Sequence, residues 1–284
     1  VRDPSASILA RADTFCPDGH PWLLELNAES PAGMAYGDAL TRVLLSQDAY
    51  PQGMTLTPLW TTPAAVTAVI DAYTRIHGRS HRPCIAIVDL REVPTWSEFL
   101  LFKEQFEARG VHCIVCDPGE LDFDGHRLTH NGTPIDVVYR RILVEDILAH
   151  PERTEALLSA YRAQKITMVN SLRSALLHGK GLFALLHDPM VFDLLPRLAQ
   201  EMVMSHIPWT GILSDSPGLG APPDLKEIVR QNREKWVIKP LRGHGGSGVV
   251  IGSEVDQPAW DTALQEAQSH IVQRKVLCHQ ERFP

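Results

Sequence analysis

The sequence predicts a mixed α/β protein that contains a parallel sheet, and three features indicate this class. In the middle of the chain an apolar strand, a periodic helix and a second apolar strand follow one another. Such a β-α-β order implies parallel strands joined by a right-handed crossover. A segment of alternating polar and apolar residues lies near the start, and a strand, a glycine-rich loop and another strand lie near the end. We expect the chemistry in these two outer segments.

The first outer segment, residues 10–27, predicts a hairpin around a Pro-Asp-Gly turn. Side chains two positions apart on a strand share a face, so Glu25 and Asn27 point the same way. Asp13 enters from the partner strand, and two carboxylates with one amide oxygen suit a hard cation such as Mg²⁺. Arg11 shares the face of Asp13, where its guanidinium could hold phosphates that the metal bridges. An ordinary polar surface hairpin is the competing interpretation.

The central β-α-β unit comprises a predicted strand at 85–89, a helix at 97–109 and a strand at 111–116. Cys113 and Cys116 form a C-x-x-C pair on the second of these strands. Residues three apart on a strand point to opposite faces, so the two thiols should not meet. We therefore expect neither a redox role nor a zinc site here.

A further strand is predicted at 135–139, and it ends in Arg140 and Arg141. The carboxyl ends of the strands in open parallel sheets are where ligands are held. Both arginines are therefore candidates for gripping a substrate carboxylate or acyl phosphate, with ordinary surface charge as the alternative. Asn170, in the segment that leads toward the next helix, is a third candidate substrate residue.

The glycine-rich segment begins with the strand 236–240, which carries Lys239, and it returns in a β-branched strand at 249–251. The string between them fits G-x-G-x-x-G. However, three known glycine-rich motifs do not fit. The dinucleotide fingerprint requires a helix after the glycines, and a Walker loop requires Lys-Ser or Lys-Thr at its end. The glycine flap of protein kinases requires later H-R-D and D-F-G motifs, which do not follow in this sequence. A glycine-rich hairpin that covers phosphates above Lys239 remains, because glycine lets the backbone approach a phosphate closely. A merely flexible hairpin is the alternative. The residues assigned to this loop are Gly243, Gly245, Gly246, Ser247 and Gly248.

Taken together, these motifs resemble the ATP-grasp superfamily, whose members activate a carboxylate with ATP and pass it to an amine. The pattern Arg11-x-Asp13, then Glu25-x-Asn27 followed by small residues and proline, resembles the metal-ligand segment of that family. In an ordinary ATP-grasp enzyme this segment comes last, whereas here it comes first. The order resembles the circularly permuted ATP-grasp proteins, including the synthetase part of glutathionylspermidine synthase.

The resemblance implies a magnesium site formed by Asp13, Glu25 and Asn27. Lys180 resembles the earlier ATP-grasp lysine, which opens a helix and reaches the nucleotide phosphates. The segment 271–276 resembles the linker strand that lies along the adenine. The catalytic and nucleotide-binding residues implied beyond the glycine loop are Arg11, Lys180, Lys239, Gln273, Lys275 and Val276.

The resemblance also implies a domain organisation. Residues 1–62 would hold the metal-ligand segment and a connector, 80–170 a Rossmann-like parallel-sheet domain preceding the ATP-grasp domain, and 171–284 the nucleotide-binding subdomains. The segment 207–210 resembles the start of one of these subdomains. Because the chain starts at Val1 without a methionine and stops shortly after the adenine strand, we expect it to be part of a longer polypeptide.

The implied reaction is phosphoryl transfer from ATP to a carboxylate, followed by displacement of the acyl phosphate by an amine, with ATP and Mg²⁺ as cofactors. Such chemistry needs positioning and charge neutralisation more than a protein nucleophile. Two other classes remain open: a nucleotide-binding regulatory or scaffold protein without ligase activity, and a phosphotransferase with a non-carboxylate acceptor. The expected partners are a small carboxylate, such as an amino acid or peptide, and an amine.

The composition is consistent with a globular enzyme. The 284 residues carry a formal net charge of −7, so there is no electrostatic reason to expect a nucleic acid or an anionic membrane as partner. No apolar run approaches the roughly 18 residues of a membrane-spanning helix. The five cysteines are scattered, which favours a reducing, cytoplasmic setting over a disulfide framework.

Overall fold

The structure is a computed structural model that describes residues 6–47, 57–78, 82–213, 221–241, 243 and 246–277. The chain divides into two compact units. Unit 1 comprises Val1–Arg11 and Ala28–Ala175, and unit 2 comprises Ala12–Asn27 and Leu176–Pro284.

The strands are, in chain order, β1 (Arg11–Phe15), β2 (Trp22–Asn27), β3 (Ile85–Val88), β4 (Cys113–Cys116), β5 (Leu121–Phe123), β6 (Leu128–His130), β7 (Thr133–Ile135), β8 (Val137–Arg140), β9 (Thr167–Val169), β10 (Thr210–Leu213), β11 (Trp236–Pro240), β12 (Val250–Ile251) and β13 (His270–Arg274).

The helices are α1 (Met34–Leu45), α2 (Thr61–His77), α3 (Trp96–Glu107), α4 (Val144–Ala149), α5 (Pro151–Arg162), α6 (Ala175–His178), α7 (Gly181–Leu186), α8 (Pro189–Phe192), α9 (Arg197–His206), α10 (Leu225–Gln231) and α11 (Gln257–Glu266). Within the described residues, none of the helices combines the length and apolar character that crossing a bilayer requires.

Unit 1 is built on a four-stranded parallel sheet with the order β4-β3-β8-β9. One face packs against α2 and α3 through Val69 and Phe102, and the other packs against α5 through Leu157. Strands covered on both faces have continuous apolar sequences, which is why β3 was recognisable as a buried strand. Since β3 and β4 are parallel and α3 lies between them in the chain, the predicted β-α-β unit is confirmed.

The predicted single strand at 135–139 is wrong, because two strands meet there. Ile135 ends β7 of the antiparallel meander β5-β6-β7, whereas β8 begins at Val137 in the parallel sheet. Asp136 lies between them, and its Oδ2 accepts the backbone N–H of Cys84 at 2.8 Å. This side-chain bond ties the chain to the start of β3 at the point where it leaves the meander.

The two cysteines of β4 lie on opposite faces of the parallel sheet, as strand geometry predicts. Cys113 packs in the core cluster on one face and Cys116 in the cluster on the other. Both are free thiols, and burial raises the pKa of each, for Cys116 to about 12. Buried neutral thiols of this kind behave as small apolar side chains.

The predicted segment 1–62 is divided between the two units. β2 packs against α9, so residues 12–27 belong to unit 2. The chain from Ala28 onward belongs to unit 1, where Glu29 forms an ion pair with Arg140. The boundary therefore falls directly after the hairpin, because the residues that follow it are bonded to the parallel-sheet unit.

Unit 2 contains the antiparallel sheet β10-β13-β11-β12. One face of this sheet forms a core in which Ile238 and Val272 pack with Trp260. Because side chains alternate along a strand, Lys239 and Gln273 lie on the opposite face. The predicted order of strand, glycine loop and strand is confirmed, since β12 returns antiparallel to β11.

Asp89, immediately after β3, is a buried carboxyl group with a raised proton affinity. Its Oδ1 accepts the N–H of Leu90 at 2.8 Å. Burial raises the pKa of Asp89 from the usual 3.8 to about 6, although the Leu90 bond and the charge of Arg141 act in the opposite direction. The stabilisation from this proton is complete below the unfolded-state pKa, near pH 4, and is lost as the pH rises through about 6.

We expect Asp89→Asn to stabilise the protein at neutral pH by at most about 3 kcal/mol, because the amide keeps the Leu90 bond without a buried charge. Urea unfolding at about pH 7.5 should show this gain, and unfolding at about pH 4 should not. Asp122→Asn, at an exposed position on β5, is the matched control. A gain of equal size at both pH values would contradict the assignment.

Candidate functional site

Two lysines and a glutamate converge in unit 2. Lys180, directly before α7, places its Nζ 3.2 Å from Oε1 of Glu25 on β2. The Lys180 side chain is only 8% exposed, so this ion pair is largely shielded from water. Lys239 on β11 lies close enough for the charges of Glu25, Lys180 and Asp13 to act on its pKa. The structure thus brings together residues that the sequence analysis singled out near both ends of the chain.

Lys239 is partly buried and is held by two acceptors. Its Nζ donates to Oε1 of Gln273 at 2.7 Å and to the carbonyl oxygen of Leu24 at 3.4 Å. Burial lowers the pKa of Lys239 below the usual lysine value; the charge of Glu25 opposes this shift and that of Lys180 adds to it. A held, partly desolvated ammonium is suited to binding an anion.

The hairpin β1-β2 presents the predicted metal ligands. Glu25 and Asn27 lie two positions apart on β2 and therefore share a face. The Nδ2 atom of Asn27 is buried and has no hydrogen-bond partner among the described residues. Asp13 lies on β1 and is partly buried.

Two stacked histidines attach the turn of the hairpin to α9. His20 Nε2 donates to the carbonyl oxygen of Ser205 at 2.7 Å, and His206 Nδ1 donates to that of Pro21 at 2.9 Å. The two rings are stacked, with centroids 4.9 Å apart. These contacts fix the hairpin, and with it Glu25, within unit 2.

The donor set at the hairpin fits one kind of metal site. In the part of the chain that the structure describes, no three His, Cys, Asp or Glu side chains form a group that could hold a metal ion. Magnesium does not require such a group, because one or two carboxylates usually hold it together with water and substrate phosphates. Asp13, Glu25 and the amide of Asn27 therefore fit a Mg²⁺ ion that is bound together with a nucleotide. They do not form a site in which the protein alone supplies all the ligands.

The glycine loop contacts Lys180 through its backbone, since Lys180 Nζ donates to the carbonyl oxygen of Gly243 at 2.8 Å. Gly243, Gly246 and Gly248 have φ angles of 123°, 76° and 71°. Residues other than glycine rarely adopt such φ angles. The glycines are therefore required for the backbone conformation of the loop, and they also let its backbone approach a phosphate closely. Gly245 lies outside the described residues.

The remaining residues predicted at the nucleotide lie in different environments. Gln273 is buried, with its amide bonded inside unit 2. The Nζ atom of Lys275 donates to Oγ of Ser253. Ser247 is exposed and Val276 is partly buried. Their contacts with a nucleotide remain predictions.

The sequence pattern of circularly permuted ATP-grasp type 2 proteins matches residues 6–277 of this chain. The chain belongs to this family. The match spans the hairpin, the parallel-sheet unit and both lysines, so the permuted ATP-grasp fold predicted from the order of the motifs is confirmed.

Among the proteins that are similar to this ATP-grasp chain are two curated relatives and an effector of known structure. The putative glutamate–cysteine ligase 2-3 of Frankia alni is 31% identical over 264 residues, which are 88% of this chain and 28% of the relative. The putative glutamate–cysteine ligase 2-2 of Frankia casuarinae is 27% identical over 253 residues, 84% of this chain and 27% of the relative. The chain therefore spans less than a third of the length of these relatives.

One similar solved structure is that of a glutathione synthetase-like effector from Globodera pallida in its apo form. It matches with a TM-score of 0.60 at 13% identity, over 94% of this chain and 59% of that chain. A likeness at this identity shows a shared fold alone.

Arg140, a predicted substrate residue of the ATP-grasp chain, is fully buried in unit 1. Its Nη1 and Nη2 each donate at 2.9 Å, to Oε1 of Glu29 and to Oγ of Ser174, and its Nε donates to the carbonyl oxygen of Asn170 at 3.1 Å. Burial lowers the pKa of Arg140, while Glu29 opposes that shift. All three nitrogens have protein acceptors, so a substrate would have to replace one of them.

Arg141 is buried beside Arg140 and packs over the rings of Phe99 and Tyr139. Its Nη2 lies 3.4 Å from Oε2 of Glu98, whose side chain is fully buried. The Nε atom of Arg141 has no hydrogen-bond partner among the described residues. The two arginines are thus bonded to two buried acids, and their contact with substrate remains a prediction.

Asn170 and Arg11 also make contacts within unit 1. Asn170 is fully buried, and its Oδ1 accepts the N–H groups of Ile8 and Leu9 at 2.7 and 3.0 Å. Arg11 Nη1 donates to the carbonyl oxygen of Ala32 at 2.8 Å. These bonds hold the segments on either side of the hairpin to unit 1, and the roles of both residues in catalysis or substrate binding remain predictions.

Sequence reasoning missed the acids that balance the two arginines. Glu29 pairs with Arg140 across 111 positions, and Glu98 pairs with Arg141 across 43. A usable signal was present, because two arginines at the end of a buried apolar strand require buried counter-charges. The positions of those counter-charges could not be read from local periodicity.

Proposed function

We propose that unit 2 is the nucleotide site of a Mg²⁺- and ATP-dependent ligase that joins a carboxylate to an amine. The observation that supports this most is the convergence of Lys180 and Lys239 on Glu25 from three separate segments of the chain. Transfer of a γ-phosphoryl group requires positive charge at the phosphates and anionic ligands for a divalent cation. The cluster offers both within one compact unit.

Each residue has a distinct task in the proposed reaction. Lys239 presents a held ammonium to the phosphate oxygens, where charge builds up during transfer. When the nucleotide binds, the Lys180 ammonium leaves its ion pair with Glu25 and binds the phosphates instead. The backbone N–H groups of the glycine loop donate hydrogen bonds to the same phosphates. Asp13, Glu25 and Asn27 would hold a magnesium ion, which supplies charge neutralisation at the β- and γ-phosphates.

The γ-phosphoryl group of ATP would move to an oxygen of the substrate carboxylate, which gives an acyl phosphate and leaves ADP. The amine then attacks the acyl carbon, the C–O bond to phosphate breaks, and an amide and inorganic phosphate are released. The amine loses its proton late in this step, so the protein needs to orient the reactants and exclude water more than to supply a nucleophile.

The proposed substrates are an amino acid or peptide as the acid and an amino acid or polyamine as the amine. The two curated relatives are named putative glutamate–cysteine ligases, which favours an amino-acid pair. The resemblance to glutathionylspermidine synthase favours a peptide and a polyamine. The free thiols of the described cysteines accord with a reducing, cytoplasmic setting for this chemistry.

Release of ADP and phosphate tests this proposal when acids and amines are supplied singly and in pairs. We expect release only when ATP, Mg²⁺, an acid and an amine are all present. Release with one acceptor alone would identify a phosphotransferase. Binding of ATP without release under any combination would identify a regulatory or scaffold protein. Either of these results would overturn the ligase proposal.

A further inference from the structure

A buried chain of hydrogen bonds leads away from Lys239 across the sheet of unit 2. Gln273 on β13 is only 2% exposed, and its Oε1 accepts from Lys239 Nζ at 2.7 Å. The other end of the same amide, Nε2, donates to Oγ1 of Thr210 on β10 at 3.1 Å. Thr210 Oγ1 in turn donates to the carbonyl oxygen of Pro208 at 2.8 Å. Three neighbouring strands therefore contribute one side chain each.

The direction of every bond in this chain is determined by the groups themselves. An ammonium can only donate, so the Gln273 atom that faces Lys239 must be the amide oxygen. A carbonyl oxygen can only accept, so the single proton of the Thr210 hydroxyl points to Pro208. The hydroxyl oxygen is thereby left to accept from Gln273 Nε2. Reversing the amide would break both of its bonds at once.

The strand register explains why the three side chains meet. Thr210 and Val237 both lie directly opposite Gln273, one on each neighbouring strand. Lys239 is two positions beyond Val237, so it projects from the same face as Gln273 and Thr210. The core of unit 2, with Val272, packs on the other face. The hydrogen-bond chain is therefore separate from the packing that stabilises the sheet.

We propose that Gln273 and Thr210 are positioning residues for Lys239 and hold its ammonium where the nucleotide phosphates bind. The inference rests on the proposed function, because the anion that Lys239 meets is the nucleotide. A lysine that is already held in one place loses less rotamer freedom when the anion arrives, which strengthens binding. Both polar ends of Gln273 are used inside the protein, so its contribution to nucleotide binding passes through Lys239.

The first test needs no nucleotide. Reductive methylation of Lys239, followed by mass spectrometry, reports how accessible and reactive its amine is, with the exposed Lys235 as internal reference. We expect several-fold faster labelling of Lys239 in Gln273→Met, which removes its acceptor, and in Thr210→Val, which removes the partner that orients the amide. Thr210→Ser keeps the hydroxyl and should restore slow labelling.

Val272→Ala is the matched control, because it lies on β13 next to Gln273 and faces the core. It should lower the free energy of unfolding without changing the labelling of Lys239 relative to Lys235. Unchanged labelling in Gln273→Met, or equally faster labelling in Val272→Ala, would overturn the inference and leave Gln273 a merely structural residue.

The second test measures affinity for a non-hydrolysable ATP analogue with Mg²⁺ by calorimetry. Gln273→Met and Thr210→Val should weaken binding about tenfold or more, the usual effect of losing a hydrogen bond to a charged group, and Thr210→Ser should bind like the wild type. Unchanged affinity in the first two variants would overturn the inference. If the wild type itself does not bind while the labelling pattern holds, the proposed function fails, and the positioning of Lys239 by Gln273 stands.

Discussion

Replacing Glu25 by alanine is expected to reduce ADP formation to less than about one tenth of the wild-type rate, because the change removes an anionic ligand of the proposed magnesium site. The Glu25 side chain is partly exposed, at 22%, and pairs with Lys180 outside the apolar core, so the fold should persist. A coupled ADP assay at saturating Mg²⁺ measures the effect, and thermal unfolding verifies that the variant is folded.

Glu227→Ala is the matched control for this loss. Glu227 lies on α10, is exposed, and pairs with Arg230 on the same helix. Its replacement should leave ADP formation unchanged. If Glu25→Ala retained more than about one tenth of the activity, Glu25 would not be a metal ligand.

Replacing Lys239 by alanine should weaken nucleotide binding and turnover together, by about a hundredfold or more. The reason is that the variant lacks a positive charge that is fixed in position in a partly desolvated site. Calorimetry with a non-hydrolysable ATP analogue measures the first effect, and ADP release measures the second. Because burial lowers the pKa of Lys239, the affinity of the wild type should also begin to fall at a lower pH than an ordinary lysine would give.

Lys235→Ala is the control for charge alone. Lys235 directly precedes β11 and is exposed, so its replacement changes the net charge equally but leaves the site intact. If Lys239→Ala bound the ATP analogue as tightly as Lys235→Ala does, Lys239 would be only a surface charge on a strand.

Local periodicity was sufficient to predict the parts of the candidate site that lie on single strands. The alternation in β2 identified Glu25 and Asn27 as neighbours on one face, and the apolar run of β11 placed Lys239 on a strand. The order of strand, helix and strand along the chain was sufficient to predict that the sheet is parallel. These features depend on residues close together in the chain, where sequence spacing reports directly on geometry.

Contacts between distant segments could not be predicted in the same way. The bond between Gln273 and Thr210 joins positions 63 apart, and it depends on β13 being placed between β10 and β11. The break at Asp136 likewise depends on a side-chain bond to the backbone of Cys84, 52 positions away. Both features follow from the register and pairing of strands, which local patterns do not specify.

If the hairpin and the two lysines form one nucleotide site, a bound nucleotide should slow hydrogen exchange in all of these segments together. The exchange of backbone amides is compared with and without a non-hydrolysable ATP analogue and Mg²⁺. We expect joint protection of residues 22–27, 180–186 and 236–248, with the parallel sheet of unit 1 as the unchanged internal reference. Protection of the lysine segments without the hairpin, or of none of the three, would contradict it.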